Sequence, residues 1–170
     1  MNYNRKKHHR RSIRLKGYDY SKEGLYFITI CAQDRKCVFG KIVDGKMYLN
    51  PAGKMIDEKW LELVKRFPNV ILHDYVIMPN HFHAILEIDT SSGKTIGDMM
   101  KAFKSITTVK YIDGVKKKNW PRFKGKLWQR SFWERIIKTE RAYQNISNYI
   151  IKIPINGMPI NFTAPTVMRL

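Results

Sequence analysis

Residues 24–33 read GLYFITICAQ, a β-branched and aromatic run that predicts a strand. Residues 38–43 and 46–50 flank Asp44-Gly45, and Asp-Gly signals a hairpin because both central positions of its tight turn need positive φ. Asn50-Pro51 then opens a helix, with Asn50 as N-cap and Pro51 in the first helical position. Ile56, Trp60, Leu63, Val64 and Phe67 follow at helical spacing, and Phe67-Pro68 ends it. Residues 70–78 and 81–88 predict two more strands joined at Pro79-Asn80. Ser91, Ser92 and Gly93 form a loop, and Thr95 can cap a helix to about residue 111, with Ile96, Met99, Met100, Phe103, Ile106 and Val109 as its apolar side. Residues 113–126, rich in Gly and Lys, read as a loop, and 127–138 as a strand. Thr139 caps the last helix, which runs to about residue 153 and is stopped by Pro154.

The order is strand, hairpin, helix, strand, strand, helix, strand, helix. Hairpins dominate and strands do not alternate strictly with helices, which predicts an α+β fold: an antiparallel sheet covered by helices. No internal repeat interrupts it. The expected organisation is a basic arm over 1–19, one domain over 20–154 and an irregular, proline-containing tail over 155–170.

Composition changes this picture mainly through charge. The 170 residues carry 32 Lys plus Arg against 14 Asp plus Glu, a formal net charge of +18, so the surface calls for a polyanion. Nucleic acid is the first candidate, because cationic side chains release the counterions of its phosphates; a membrane surface is the second. With 44% hydrophobic residues the chain can build a core and is not a disordered polycation. The arm concentrates Arg5, Lys6, Lys7, His8, His9, Arg10, Arg11, Arg14 and Lys16, either as a solvated tail or as a phosphate-contacting element. Cys31 and Cys37 lie in no zinc-ligand pattern and read as reduced thiols. The N-terminus has no apolar signal core, and no apolar run approaches the ~18 residues of a membrane span, so the expected location is the cytoplasm.

Three segments carry candidate chemistry. In Met78-Pro79-Asn80-His81-Phe82-His83-Ala84-Ile85-Leu86, strand alternation puts His81 and His83 on one face, about 7 Å apart along the strand, where two imidazoles can converge on one metal ion. The same pattern also suits two hydrogen-bonded histidines on a solvated face. In Leu127-Trp128-Gln129-Arg130-Ser131-Phe132-Trp133-Glu134-Arg135-Ile136-Ile137, aromatic residues interleave with arginines, a mixture that stacks bases and holds phosphates, or else builds a core strand with a basic outer side. Tyr149 shares a helical stripe with Ala142, Ile146, Ile150 and Ile153. A stripe of that kind faces the sheet, so Tyr149 is either a core tyrosine or a nucleophile aimed at a metal held on the sheet.

Taken together, these residues resemble a known family. His81-Phe82-His83, preceded by Met78-Pro79-Asn80, resembles the HUH motif (His, hydrophobic residue, His) of the IS200-like, single-tyrosine transposases. The block from Leu127 to Ile137 resembles the "WQ…(Y/F)(Y/W)(D/E)" segment of the REP-associated tyrosine transposases, and Tyr149-Ile150 stands where their "YIxxNP" helix has its nucleophile. Arg11-Ser12-Ile13-Arg14-Leu15-Lys16-Gly17-Tyr18-Asp19-Tyr20, followed by Gly24-Leu25-Tyr26-Phe27-Ile28-Thr29, is similar to the opening of a subgroup. The likeness runs in order over about residues 10–154.

The resemblance implies a ferredoxin-like α+β domain in which the sheet presents His81 and His83 to Mg²⁺ or Mn²⁺ and a helix presents Tyr149 as nucleophile. It implies a single-stranded DNA substrate containing hairpins, a 5′-phosphotyrosine intermediate, no membrane partner, and action as a monomer or homodimer. The phosphate and base contacts expected are Arg10, Arg11, Arg14, Lys16, Lys116, Lys117, Lys118, Arg122, Trp128, Gln129 and Arg130. One position departs from the family. Its members often take a third metal ligand from a polar residue four after the tyrosine; here that residue is Ile153, in Ile153-Pro154 where the family has Asn-Pro, and Ile155-Asn156-Gly157-Met158-Pro159 replaces the expected Trp and Asp. Asn145, Asn156 or water then completes the coordination, or activity is reduced. The alternative is a catalytically impaired or domesticated single-stranded DNA-binding protein. A replication-initiator or relaxase-like nickase and a ribosome-associated RNA-binding protein are the remaining rivals.

Overall fold

The computed structural model describes residues 17–90 and 92–154. Six strands and four α-helices follow in the order β1 (Gly24–Cys31), β2 (Gly40–Val43), β3 (Lys46–Leu49), α1 (Pro51–Leu61), α2 (Leu63–Arg66), β4 (Val70–Met78), β5 (His81–Ile88), α3 (Ile96–Lys118), β6 (Trp133–Ile137) and α4 (Glu140–Lys152). The predicted signals act where they stand. Asp44 and Gly45 both take positive φ, at 49° and 71°, and turn β2 into β3. Asn50 accepts the backbone N–H of Gly53, Thr95 and Asp98 form a reciprocal capping box, and Thr139 accepts the N–H of Ala142.

The main sheet has the order β4-β5-β1-β6, with every neighbouring pair antiparallel. Leaving aside the β2–β3 hairpin, this is the β-α-β-β-α-β arrangement of a ferredoxin-like α+β domain, the fold expected. Strand alternation divides the sheet into two faces. Tyr26, Ile28, Ile30, Phe82, Ala84, Leu86 and Ile88 join Ile56 and Trp60 of α1 and Met99, Met100 and Phe103 of α3 in the principal core. The opposite face carries Leu25, Phe27, Thr29, His81, His83 and Ile85, and α4 lies across it with Ile150 packed near Ile85 and Ile137.

The structure corrects several expectations. Helix α3 does not stop near residue 111 but runs on to Lys118, so Lys116, Lys117 and Lys118 form its last turn and not a loop. Asp113-Gly114 is a turn signal that packing overrides: a Cβ on Gly114 would lie 2.2 Å from the Trp120 ring, so the glycine makes room for the returning chain. The buried stripe of α3 passes through Thr107, Tyr111 and Gly114, leaving Ile106 and Val109 exposed. Residues 127–138 are not one strand. Only Trp133–Ile137 pairs with β1, while the chain before it crosses the end of β1 through Gln33 N–H to Leu127 O and Gln129 N–H to Cys31 O. Two residues of that crossing serve as acceptors: the Lys104 ammonium, whose pKa burial lowers to about 8, donates to the carbonyls of Gln129 and Ser131.

Candidate active site

His81 and His83 face the same side of β5, and their rings lie 4.7 Å apart centre to centre, nearly perpendicular. Each is only 2% exposed. Their Nδ1 atoms are both engaged. Asn80 donates through Nδ2 to the Arg35 carbonyl, which turns Oδ1 toward His81, so His81 Nδ1–H donates to it at 2.7 Å. His83 Nδ1 lies 2.7 Å from the Thr29 hydroxyl, which can accept its proton. In that tautomer both Nε2 atoms keep a lone pair, and His81 Nε2 is buried without a hydrogen-bond partner.

Burial keeps these rings uncharged. It lowers the His81 pKa to about 2, with help from the neighbouring His83 and Arg35, and lowers that of His83 to about 3. Two neutral imidazoles with Nδ1 tied back, one of them holding an orphaned buried lone pair, fit a cation site, since ligating histidines are ordinarily oriented through their other nitrogen. Among the described residues no group of three or more His, Cys, Asp or Glu side chains is placed to hold a metal, so from those residue types the described part offers this pair.

Tyr149 reaches the pair from α4. Its hydroxyl is 3.4 Å from His83 Nε2, and its ring stands edge-on to His83 at 5.4 Å and to Phe27 at 6.4 Å. It does not belong to the buried stripe as expected. Ser147, Ile150 and the capping Ile153 are buried, whereas Tyr149 is 43% exposed at the margin. A nucleophile needs that access. Burial of its inner half raises the phenol's pKa. Tyr143 is turned elsewhere, its hydroxyl 3.3 Å from His73 Nδ1.

The expected DNA contacts separate. Arg10, Arg11, Arg14 and Lys16 lie outside the described residues, as does Asn156. Arg122 and Arg130 are exposed and Gln129 is half-buried; Gln129 and Arg130 follow Trp128 past Cys31, the residue that pairs with His81, so they adjoin the site. Lys116, Lys117 and Lys118 are exposed but lie about 14 Å or more along the α3 axis from Thr107, the residue that anchors Trp128. Trp128 itself is a core residue. It is 4% exposed, its indole N–H donates to Thr107 Oγ1, and it packs on Phe39 and Phe103, so its ring is not presented to a base. Trp133, 39% exposed on the Tyr149 side of the sheet, is the aromatic presented there. The sequence did not reveal Thr29 or Asn80 as partners of the histidines. Asn80 at least stands beside the motif, but Thr29 lies in another strand and only the β1–β5 register brings it to His83.

A family model described as "Transposase IS200 like" matches residues 22–152. A Haemophilus influenzae protein of uncharacterised function is 36% identical over 90% of this chain and 92% of its own length. A second H. influenzae protein, named as a REP-associated tyrosine transposase, is 26% identical over 81% of this chain and 73% of its own. Among solved structures, a REP-associated tyrosine transposase bound to a REP hairpin superposes with a TM-score of 0.62 at 18% identity, covering 86% of this chain and 74% of that one. A Deinococcus radiodurans protein described as a transposase superposes with a TM-score of 0.50 at 18% identity, covering 82% of this chain and 96% of its own. At these identities the two structures speak for the fold.

Proposed function

This chain belongs to the IS200-like transposase family, and from that premise we propose that it cuts and rejoins single-stranded, hairpin-containing DNA through a phosphotyrosine formed by Tyr149. The observation that carries the proposal is the approach of the Tyr149 hydroxyl, within 3.4 Å, to one of two buried, neutral histidines on the sheet. His81 and His83 would hold Mg²⁺ or Mn²⁺, which when bound supplies positive charge to the oxygens of the scissile phosphate.

The chain's own residues account for the other tasks. Asn80 and Thr29 hold the two imidazoles by Nδ1, so that Nε2 faces the site. Phe27 and His83 flank the Tyr149 ring and limit where its oxygen can swing. The Tyr149 oxygen attacks phosphorus as the bond to the 3′ oxygen breaks, giving a 5′-phosphotyrosine and a free 3′-hydroxyl. Attack by a second strand's 3′-hydroxyl breaks the tyrosine bond and joins new ends; one ester replaces another at each step, so no ATP is consumed. The phenol proton passes to water as the bond forms, and water returns a proton to the departing 3′ oxygen; burial, which raises the phenol's pKa, disfavours loss of that proton beforehand. Arg130 and Gln129 supply phosphate contacts beside the site, Arg122, Lys116, Lys117 and Lys118 supply others, and the arm with Arg10, Arg11, Arg14 and Lys16 adds more. The protein acts in the cytoplasm, as a monomer or homodimer; no helix among the described residues is long and apolar enough to cross a membrane.

A second reading is favoured by one residue. Ile153, which is buried at the end of α4, has no ligand atom at the position from which the family often takes its third one, which suits a protein that binds DNA without cutting it. The deciding experiment uses a labelled single-stranded hairpin taken from the gene's own flanks, with and without Mn²⁺, resolved on denaturing gels. A Mn²⁺-dependent covalent adduct that disappears in Tyr149→Phe, with DNA affinity retained, is the expected result. Tight binding with no adduct under any metal would establish the second reading. An adduct that persists in Tyr149→Phe would remove Tyr149 from its role.

A further inference from the structure

Helix α4 carries the proposed nucleophile and rests on the sheet along a narrow apolar stripe, in which Ala142, Tyr143 and Ile146 are half-buried beside Ile150. Of its 13 residues only Ser147 and Ile150 are buried, with Ile153 following at the C-cap. Apolar contact is non-directional and by itself sets the rotation and height of a short helix only loosely. Directional contacts come from β4. Its pairing with β5 runs Leu72↔Leu86 and then Tyr75↔Ala84, so that His73 and Asp74 together stand against the single residue Ile85. An extra residue of this kind forms a bulge, which re-aims side chains. In a regular strand, consecutive residues point to opposite faces; here both reach α4. His73 Nε2–H donates to Glu87 at 2.8 Å, and its Nδ1 meets the Tyr143 hydroxyl at 3.3 Å, with the two rings edge-on at 5.6 Å. Asp74 accepts the Ser147 hydroxyl proton. Tyr143 and Ser147 are one helical turn apart, and Tyr149 follows two residues after Ser147.

We infer that His73 and Asp74, paired by the β4 bulge, are positioning residues that fix the rotation and height of α4 and thereby hold the Tyr149 hydroxyl over the histidine pair. The inference rests on the proposed tyrosine chemistry. Two contacts one turn apart stop the helix from sliding along its axis or turning about it, and Ile146 and Ile150 packed near Ile85 and Ile137 stop it swinging about the line that joins them. Glu87 completes the device by holding the His73 ring in place from β5. A nucleophile displaced by even an ångström loses rate steeply, by about 100-fold in favourable cases, while the surfaces that bind DNA remain.

The test compares wild type, Asp74→Ala and Asp74→Asn in the full chain, since Asn keeps an oxygen that can accept from Ser147. Three quantities are read: the single-turnover rate of adduct formation on the hairpin strand with Mn²⁺, the Kd for that strand, and hydrogen exchange of the α4 amides. In Asp74→Ala the adduct rate is expected to fall about 10- to 100-fold. Kd should stay unchanged, and exchange should accelerate in α4 but not in β1 or β5. Asp74→Asn should recover most of the rate. An Asp74→Ala rate equal to or above that of wild type would overturn the inference, the faster case meaning that the docked helix is a closed form to be escaped. If wild type makes no adduct, the transposase chemistry itself fails, and the exchange measurement decides alone: acceleration confined to α4 supports the docking role, and unchanged α4 exchange removes it.

Discussion

At the scale of single residues, the candidate site shows how neighbours decide what a side chain can do. His81 and His83 are two imidazoles among the chain's five, and they become suitable ligands because burial keeps them neutral and Asn80 and Thr29 choose the nitrogen they present. Trp128 and Arg130 make the same point by contrast. They are two positions apart in one aromatic and basic segment, but Trp128 fills the core and Arg130 stands in solvent. Trp128→Ala should therefore cost about 3–5 kcal/mol of stability, as other large core truncations do. Arg130→Ala should change stability by no more than about 0.5 kcal/mol and weaken single-stranded DNA binding. Urea melts and a binding titration on both variants check this, and a Trp128→Ala protein that stays stable but binds DNA poorly would reverse the assignment.

At the scale of elements, α3 is the most informative. A glycine inside a helix ordinarily costs about 1 kcal/mol relative to alanine, so Gly114→Ala would stabilise an isolated helix. Here the added methyl would meet the Trp120 ring at 2.2 Å. Gly114→Ala should lower the melting temperature by several degrees, and an unchanged or raised value would show that Trp120 moves aside at no cost. The same helix marks the limit of reading local patterns. Asn50, Thr95, Thr139 and the Asp44-Gly45 turn were legible because caps and tight turns act on the few residues around them, and the His-x-His face was legible because strand alternation is strict. Gly114, the depth of Trp128 and the partnership of Thr29 with His83 depend on segments that meet only in space. No local pattern encodes them. The extra residue at His73 and Asp74 was hidden for a related reason: a strand longer by one residue reads like any other strand until its partner's register is known.

For the whole molecule, charge sets the terms of any encounter with DNA. A net charge of +18 should make the logarithm of affinity for single strands fall linearly with the logarithm of salt concentration, with a slope of about 0.7 for each cation that meets a phosphate. If the arm takes part, a chain without residues 1–16 should give a shallower slope, by about 0.7 for each arm cation that meets a phosphate in the full chain. The cations concerned are Arg5, Lys6, Lys7, Arg10, Arg11, Arg14 and Lys16. Equal slopes for the two chains would leave the arm outside the complex. Among the described residues, one face of the sheet is sealed by α1 and α3 over a large core, and the other is covered by α4, which carries Tyr149.

The bulge in β4 has a consequence for how such a gene can change. Because two residues there share one partner, deletion of a single codon at position 73 or 74 would return the strand to regular pairing, with Leu72 still opposite Leu86 and Tyr75 still opposite Ala84. The reading frame, the sheet and the core would survive such a deletion, while α4 would keep only one of its two polar moorings. If Tyr149 acts as proposed, a lineage can thus shed precise cutting in one small step and keep the folded domain.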